Sequence, residues 1–205
     1  MNRSVESAQK RVEQRYYIAR KRVLDYDDVM NQQREVVYGY RNEALISEDP
    51  RELLFESLEE LVPVKVEEYL GGGNGEPDDW SGLFIWLDSI FPMTASHENL
   101  ETSPDMTMEQ ISAKICDKVK ELYLRKAEGE RPEYLDHLER QILLTAIDKM
   151  WQEHLYNMDA LRDGVHLRAQ GQKDPLVEYK SESYKLFTTL MDDIRHEVVQ
   201  GLLRS

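Results

Sequence analysis

Through the first 45 residues, apolar or large side chains recur at Val5, Ala8, Val12, Tyr16, Ala19, Val23, Tyr26, Met30, Val37, Tyr40 and Ala44, and Gln33 fills the one gap. The steps of three and four are heptad spacing and predict one long helix over 1–45. At 1.5 Å per residue, 40 helical residues span about 60 Å, longer than a small domain is wide. Such a helix either pairs in a coiled coil or acts as the spine of something larger. The pattern then changes. Asp49 followed by Pro50 reads as an N-cap and first turn, opening a helix that carries Leu53, Leu54, Leu58, Leu61 and Val62. Pro63 should bend or interrupt it. Gly71, Gly72, Gly73, Asn74 and Gly75 read as a flexible loop. WSGLFIWLDSIF, at 80–91, is short, aromatic and apolar, which predicts a buried helix stopped by Pro92. Thr107 with Gln110 fits a capping box for a helix reaching about Ala127.

Helical spacing returns at Leu144, Ile147, Trp151, Leu155, Met158, Leu161 and Val165. After HLRAQGQKDP, at 166–175, it resumes at Tyr179, Leu186, Leu190, Ile194, Val198 and Leu202. A loop this short makes its two helices antiparallel neighbours, a finger with a polar tip. No segment shows sustained alternation, so the fold class is all-α: a long spine helix packed with an antiparallel two-helix finger, plus a small inserted helical domain. The expected boundaries are 1–45 for the spine, 46–130 for the insertion and 131–205 for the finger and final helix.

Charge sharpens that division. Residues 1–45 hold nine Lys/Arg against seven Asp/Glu, residues 46–110 two against sixteen, and residues 111–205 fifteen against seventeen. The middle segment carries the whole imbalance behind the net charge of −14. Only short cationic clusters occur, such as Arg20, Lys21 and Arg22, so no nucleic-acid partner is expected. One cysteine, Cys116, excludes an internal disulfide. No apolar run approaches the roughly 18–20 residues that cross a bilayer.

Candidate chemistry is sparse. GGGNG lacks the Gly-Lys-Ser/Thr that completes a phosphate loop. His154 and His166 are too far apart for a same-turn ligand pair. Structural or surface histidine is the plainer reading. Cys116 reads as a small buried or partly buried side chain. Asp25, Asp27 and Asp28 form the densest carboxylate cluster within a predicted helix. Asp25 and Asp28 share a face and Asp27 points away. They meet cations of a neighbouring element, or else form a metal or acid–base site. No catalytic, cofactor or metal residue is assigned.

Two stretches carry a resemblance. VLDYDDVMNQQREVVYGYRNEAL, at 23–45, and IDKMWQEHLYNMDALRDGVHLRAQGQKDPLVEYKSESYKLF, at 147–187, strongly resemble SecA, the motor ATPase of bacterial preprotein export. The resemblance is weaker across 46–130. It implies that 1–45 is the long helix of the helical scaffold domain, 46–130 the helical wing domain, and 133–205 the two-helix finger and its continuation. It also implies a portion of a larger motor, with Met1 added to that portion. ATP and Mg would act in motor domains that this sequence does not carry. The chain alone is then expected to be non-catalytic.

In the family the finger enters the cytoplasmic mouth of the SecYEG channel and contacts the unfolded preprotein. The resemblance assigns the tip to Arg168, Ala169, Gln170, Gly171, Gln172, Lys173 and Asp174. It assigns coupling to the motor domains to Asp25, Asp27, Asp28, Arg34 and Trp151, with Trp151 packing on the spine. Gln170 stands where the family often has tyrosine, so an amide replaces an aromatic grip. Further implied partners are an acidic phospholipid surface and a second copy. The implied location is the cytoplasm, peripheral to the inner face of the plasma membrane. The competing readings are a homodimeric coiled coil through 1–45 and a hydrolase built on the three aspartates. An apolar or aromatic patch is expected along the 1–45 helix, where motor domains would otherwise pack.

Overall fold

The computed structural model describes the backbone of residues 2–72, 78–168 and 174–204, and the side chains of 5–72, 78–165 and 174–202. Among the described residues there are six α-helices and no strand: α1 (Asn2–Ile46), α2 (Pro50–Leu70), α3 (Trp80–Ile90), α4 (Met108–Ala127), α5 (Pro132–Arg168) and α6 (Pro175–Arg204).

Local chemistry sets most of the boundaries. The Asp49 carboxylate accepts from the Arg51 N–H at the start of α2, where Pro50 has no N–H to satisfy. The Asp79 carboxylate accepts from the Gly82 N–H at 2.8 Å to open α3, and extended backbone at Phe91 closes it before Pro92. At α4 the capping box is complete. The Thr107 hydroxyl accepts from the Gln110 N–H, and the Gln110 side chain accepts from the Thr107 N–H at 3.0 Å. Pro63 does not end α2, contrary to one expectation. The ring is exposed, while Leu53, Leu54, Leu58, Leu61, Val62, Val66 and Leu70 are buried on either side of it. Packing of that apolar face outweighs one missing backbone bond.

The chain packs as two compact units, Met1–Tyr40 with Gln152–Thr189 and Arg41–Trp151 with Leu190–Ser205. In the second unit α2 packs against α3 and α4. Its core includes Leu54, Leu58, Leu83, Leu87, Ile115, Leu143, Ile147 and Ile194. There α5 and α6 run antiparallel: Ile142 lies against Gly201, and Lys149 bonds Glu197 at 2.6 Å. The end of α1 runs antiparallel to α5. Arg41 forms a bidentate pair with Asp148 at 2.7 and 3.1 Å. Three to six residues on, the carbonyls of Ala44, Leu45 and Ser47 accept from the Arg140 guanidinium at 2.9, 2.7 and 3.0 Å. Helix α1 has no basic residue in its own last turn. Arg140 of α5 supplies the C-terminal cation instead.

Candidate functional site at the base of the 168–174 tip

In the first unit, α1 receives α5 and α6 together. Tyr26 is 8% exposed and shares an apolar cluster with Met158, Val165 and Tyr179. The rings of Tyr26 and Tyr179 lie 4.7 Å apart at 59°. Val29, Met30, Leu161, Leu176 and Leu186 pack around the cluster. The last turns before the tip and the first turns after it thus meet on one tyrosine of the long helix. Burial raises the Tyr26 pKa, and the Asp174 charge adds to that rise. The tip's last residue is therefore close enough to α1 to act on it electrostatically.

Two turns further along α1 lies a buried polar joint. The Gln33 side-chain NH₂ donates to the Ser183 carbonyl of α6 at 3.1 Å. Its side-chain oxygen lies 2.9 Å from His154 Nε2 of α5. That oxygen only accepts, so Nε2 carries the proton. The His154 ring also meets Phe187 at 6.2 Å, edge to face. His154 is 3% exposed, and burial lowers its pKa to about 4. The imidazole is neutral at pH 7. Gln33, read in the sequence as a gap in a heptad, bonds both α5 and α6. The available signal was a polar residue at a core position of 1–45, with His154 and Ser183 at core-facing positions downstream.

The other assigned residues are placed as follows. Asp25 is half-buried, and Asp27 and Asp28 are exposed. None of the three makes an ion pair among the described side chains, so the cations expected opposite them are not found there. Nor does any group of three or more His, Cys, Asp or Glu among the described residues suit a metal ion. Arg34 donates to Asn31 on its own helix at 3.1 Å. Trp151 is buried on α5. Arg168 ends α5. Asp174 caps α6, its carboxylate accepting from the Leu176 N–H at 3.0 Å. Ala169, Gln170, Gly171, Gln172, Lys173 and the side chain of Arg168 lie outside the described residues.

Cys116 is buried in the second unit, and burial pushes its thiol up to about 12. It is inert at neutral pH. On α1, Val5, Val12, Tyr16 and Val23 are exposed along one face, as the expected patch requires, and Tyr17, Ile18 and Leu24 are exposed on other faces. No helix among the described residues is long and apolar enough to cross a membrane.

Comparison with known proteins decides what this scaffold is. The family described as the SecA wing and scaffold domain matches residues 1–205. The chain belongs to that family. It is 40% identical over 207 residues to the protein translocase subunit SecA of Carboxydothermus hydrogenoformans, covering 100% of this chain and 23% of the relative. It is 38% identical to that of Syntrophomonas wolfei, covering 100% of this chain and 25% of the relative. It is 35% identical to that of Endomicrobium trichonymphae, with 100% and 24% coverage. The chain thus spans about a quarter of the length of the curated relatives it matches. In this SecA scaffold the all-α expectation holds among the described residues.

Proposed function

We propose that this chain is the scaffold and wing portion of a SecA-type subunit that moves preproteins through the SecYEG channel. Its part is mechanical. Helix 1–45 is the spine, 46–130 the wing, and 133–205 the finger and its continuation. ATP and Mg act in motor domains beyond this chain, and no step of their chemistry is assigned to its residues. The observation that carries this reading is the family match over 1–205. The packing around Tyr26 and Gln33 supports it. Two contacts, one apolar and one hydrogen-bonded, hold both finger helices to α1, so a displacement of α1 pulls on α5 and α6 together.

In this proposal Arg168, Ala169, Gln170, Gly171, Gln172, Lys173 and Asp174 contact the moving polypeptide and the channel mouth. Asp25, Asp27, Asp28 and Arg34 face the motor domains. Asp27, Asp28 and Arg34 are exposed, as a surface with an outside partner requires. Trp151 is a buried part of the coupling. The acting location is the inner face of the plasma membrane. The test uses full-length protein with Gln170, Gln172 and Lys173 replaced together by Ala or by Glu. Preprotein translocation should fall far more than basal ATP hydrolysis. Unchanged translocation removes the tip from the mechanism.

The exposed apolar side chains of 5–24 also favour a second reading, a homodimer through α1. Light scattering of the 205-residue chain across a dilution series separates the two. A constant single-chain mass assigns that face to the motor domains, and a concentration-dependent doubling assigns it to a second copy.

A further inference from the structure

Helices α2 and α4 enclose an open groove of about 520 Å³ in the second unit. The two helices are antiparallel. Phe55 meets Tyr123 edge to face at 5.7 Å, Cys116 Sγ lies 4.0 Å from the Leu58 carbonyl, and Lys120 pairs with Glu59. Rising numbers on α4 therefore run against falling numbers on α2. That register sets Glu67 opposite Glu109, Pro63 opposite Ala113, and Glu59 opposite Asp117. The floor is Ser112 and Cys116, both buried, while Pro63, Met108 and Ala113 form low exposed walls. Each helix places its two carboxylates eight residues apart, about 12 Å along the axis.

The lysines around the groove are already engaged. Lys65 pairs with Glu68, Lys114 with Glu101, Lys118 with Glu121 and Lys120 with Glu59. Glu67, Glu109 and Asp117 form no ion pair among the described residues, so the rim keeps negative charge that no cation pairs, with Glu109 held in the first turn of α4 by its own N–H and Thr107. A further acceptor lies in the same stripe. Pro63 has no N–H to offer the Glu59 carbonyl one turn earlier.

We propose that this groove is a docking site for a cationic, partly apolar peptide segment. Two Lys or Arg about 12 Å apart would meet Glu67 with Glu109 at one end and Asp117 at the other, where Lys120 already holds Glu59. A small apolar side chain between them would cover Pro63, Ala113 and Met108. The spacing suits residues eight apart on a helical segment, the mode in which an amphipathic helix lies along a helical groove. The charge pattern excludes an acidic segment by repulsion at both ends. None of this depends on a transport role.

The experiment is fluorescence anisotropy on the whole 205-residue chain. The probe is a labelled helical peptide with two lysines eight residues apart flanking alanine and leucine, used at low salt. Saturable binding is expected. It should weaken by at least roughly tenfold in Glu67→Lys/Glu109→Lys, where two attractions become repulsions, and by less in Glu67→Gln/Glu109→Gln. Glu128→Lys/Glu130→Lys makes the same charge change outside the groove and should retain binding. Ala113→Tyr fills the groove without changing charge and should also abolish binding. Glu109 stands in the first turn of α4, where a carboxylate is favoured and a cation is not, so the Lys pair should lower Tm slightly with circular dichroism unchanged, and the Gln pair still decides the matter should the Lys pair unfold. Equal loss in the Glu128/Glu130 variant would show diffuse attraction and overturn the proposal. So would absence of saturable binding, or self-association of the chain that the Glu67/Glu109 variant abolishes without any peptide binding.

Discussion

Gln33 and His154 set the chemistry of the joint that α1 makes with α5 and α6. His154 has its pKa lowered by burial to about 4, below the 6.5 of an exposed histidine. Above pH 6.5 neither the folded nor the unfolded chain protonates it, and it contributes no pH dependence. Between 6.5 and about 4 the unfolded chain takes up a proton that the folded chain refuses, so stability falls on acidification. From pH 7 to pH 5 this one group removes roughly 2 kcal/mol. Urea unfolding at the two pH values should show the loss, and His154→Gln should flatten that part of the profile. Gln33→Leu keeps the heptad apolar but takes away the acceptor facing His154 and the donor facing Ser183. It should cost roughly 1–3 kcal/mol at pH 7, read as a lower urea midpoint with an unchanged slope. The sequence showed Gln33 as an interruption. Its partners lie 121 and 150 residues away, and no local pattern announces a hydrogen bond across that separation.

The six helices illustrate how local and distant causes divide. Asp49, Asp79 and Thr107 each sit immediately before an apolar run, and each caps as its side chain allows. A Thr107→Ala change should cost about 1 kcal/mol, measured by thermal melting, because both halves of the capping box are lost. The C-terminus of α1 is different. Its carbonyls are met by Arg140 from α5, so Arg140→Ala should destabilise by about 2 kcal/mol, an effect no reading of 40–47 anticipates. Two glycines sharpen the point. A Cβ at Gly39 would have nothing within 4 Å, so Gly39→Ala should stabilise by about 0.5–1 kcal/mol through helix propensity. A Cβ at Gly201 would sit 2.7 Å from Ile142 Cγ2. Gly201→Ala should therefore lower Tm, the crowding outweighing the same propensity gain. Both glycines lie inside helices, and only the neighbour distinguishes them. Pro63 was expected to bend or interrupt α2 for the same reason: its local cost was visible and the burial on either side of it was not.

For the whole molecule, the chief unanswered demand is the surface of α1. Residues 5–24 expose valines, tyrosines, Ile18 and Leu24, a surface that a partner must cover if it is to be dry. Val12→Ser with Val23→Ser should leave the stability of the isolated chain within about 0.5 kcal/mol. In full-length protein the same pair should weaken whatever association the face makes, whether with motor domains or with a second copy. Chemical melts of the isolated chain and ATPase and translocation assays of the full-length variant read the two effects separately. The antiparallel pairing of α5 and α6 was legible because a short polar stretch holding Gly171 and Pro175 separates two helical patterns. Where the pair attaches was not legible, because Tyr26 and Tyr179 meet across 153 positions of chain.

The sequence by itself determined the all-α class, the helix starts and the family. Each of these follows from spacing, capping chemistry or motif within a few tens of residues. Only the tertiary structure decided that Gln33 is a joint and not a gap, that Arg140 caps a helix it does not belong to, and that α2 and α4 leave a groove with carboxylates at both ends. The reason is physical. Propensity and capping act within a turn or two of helix, whereas burial, cross-helix hydrogen bonds and grooves depend on which faces meet.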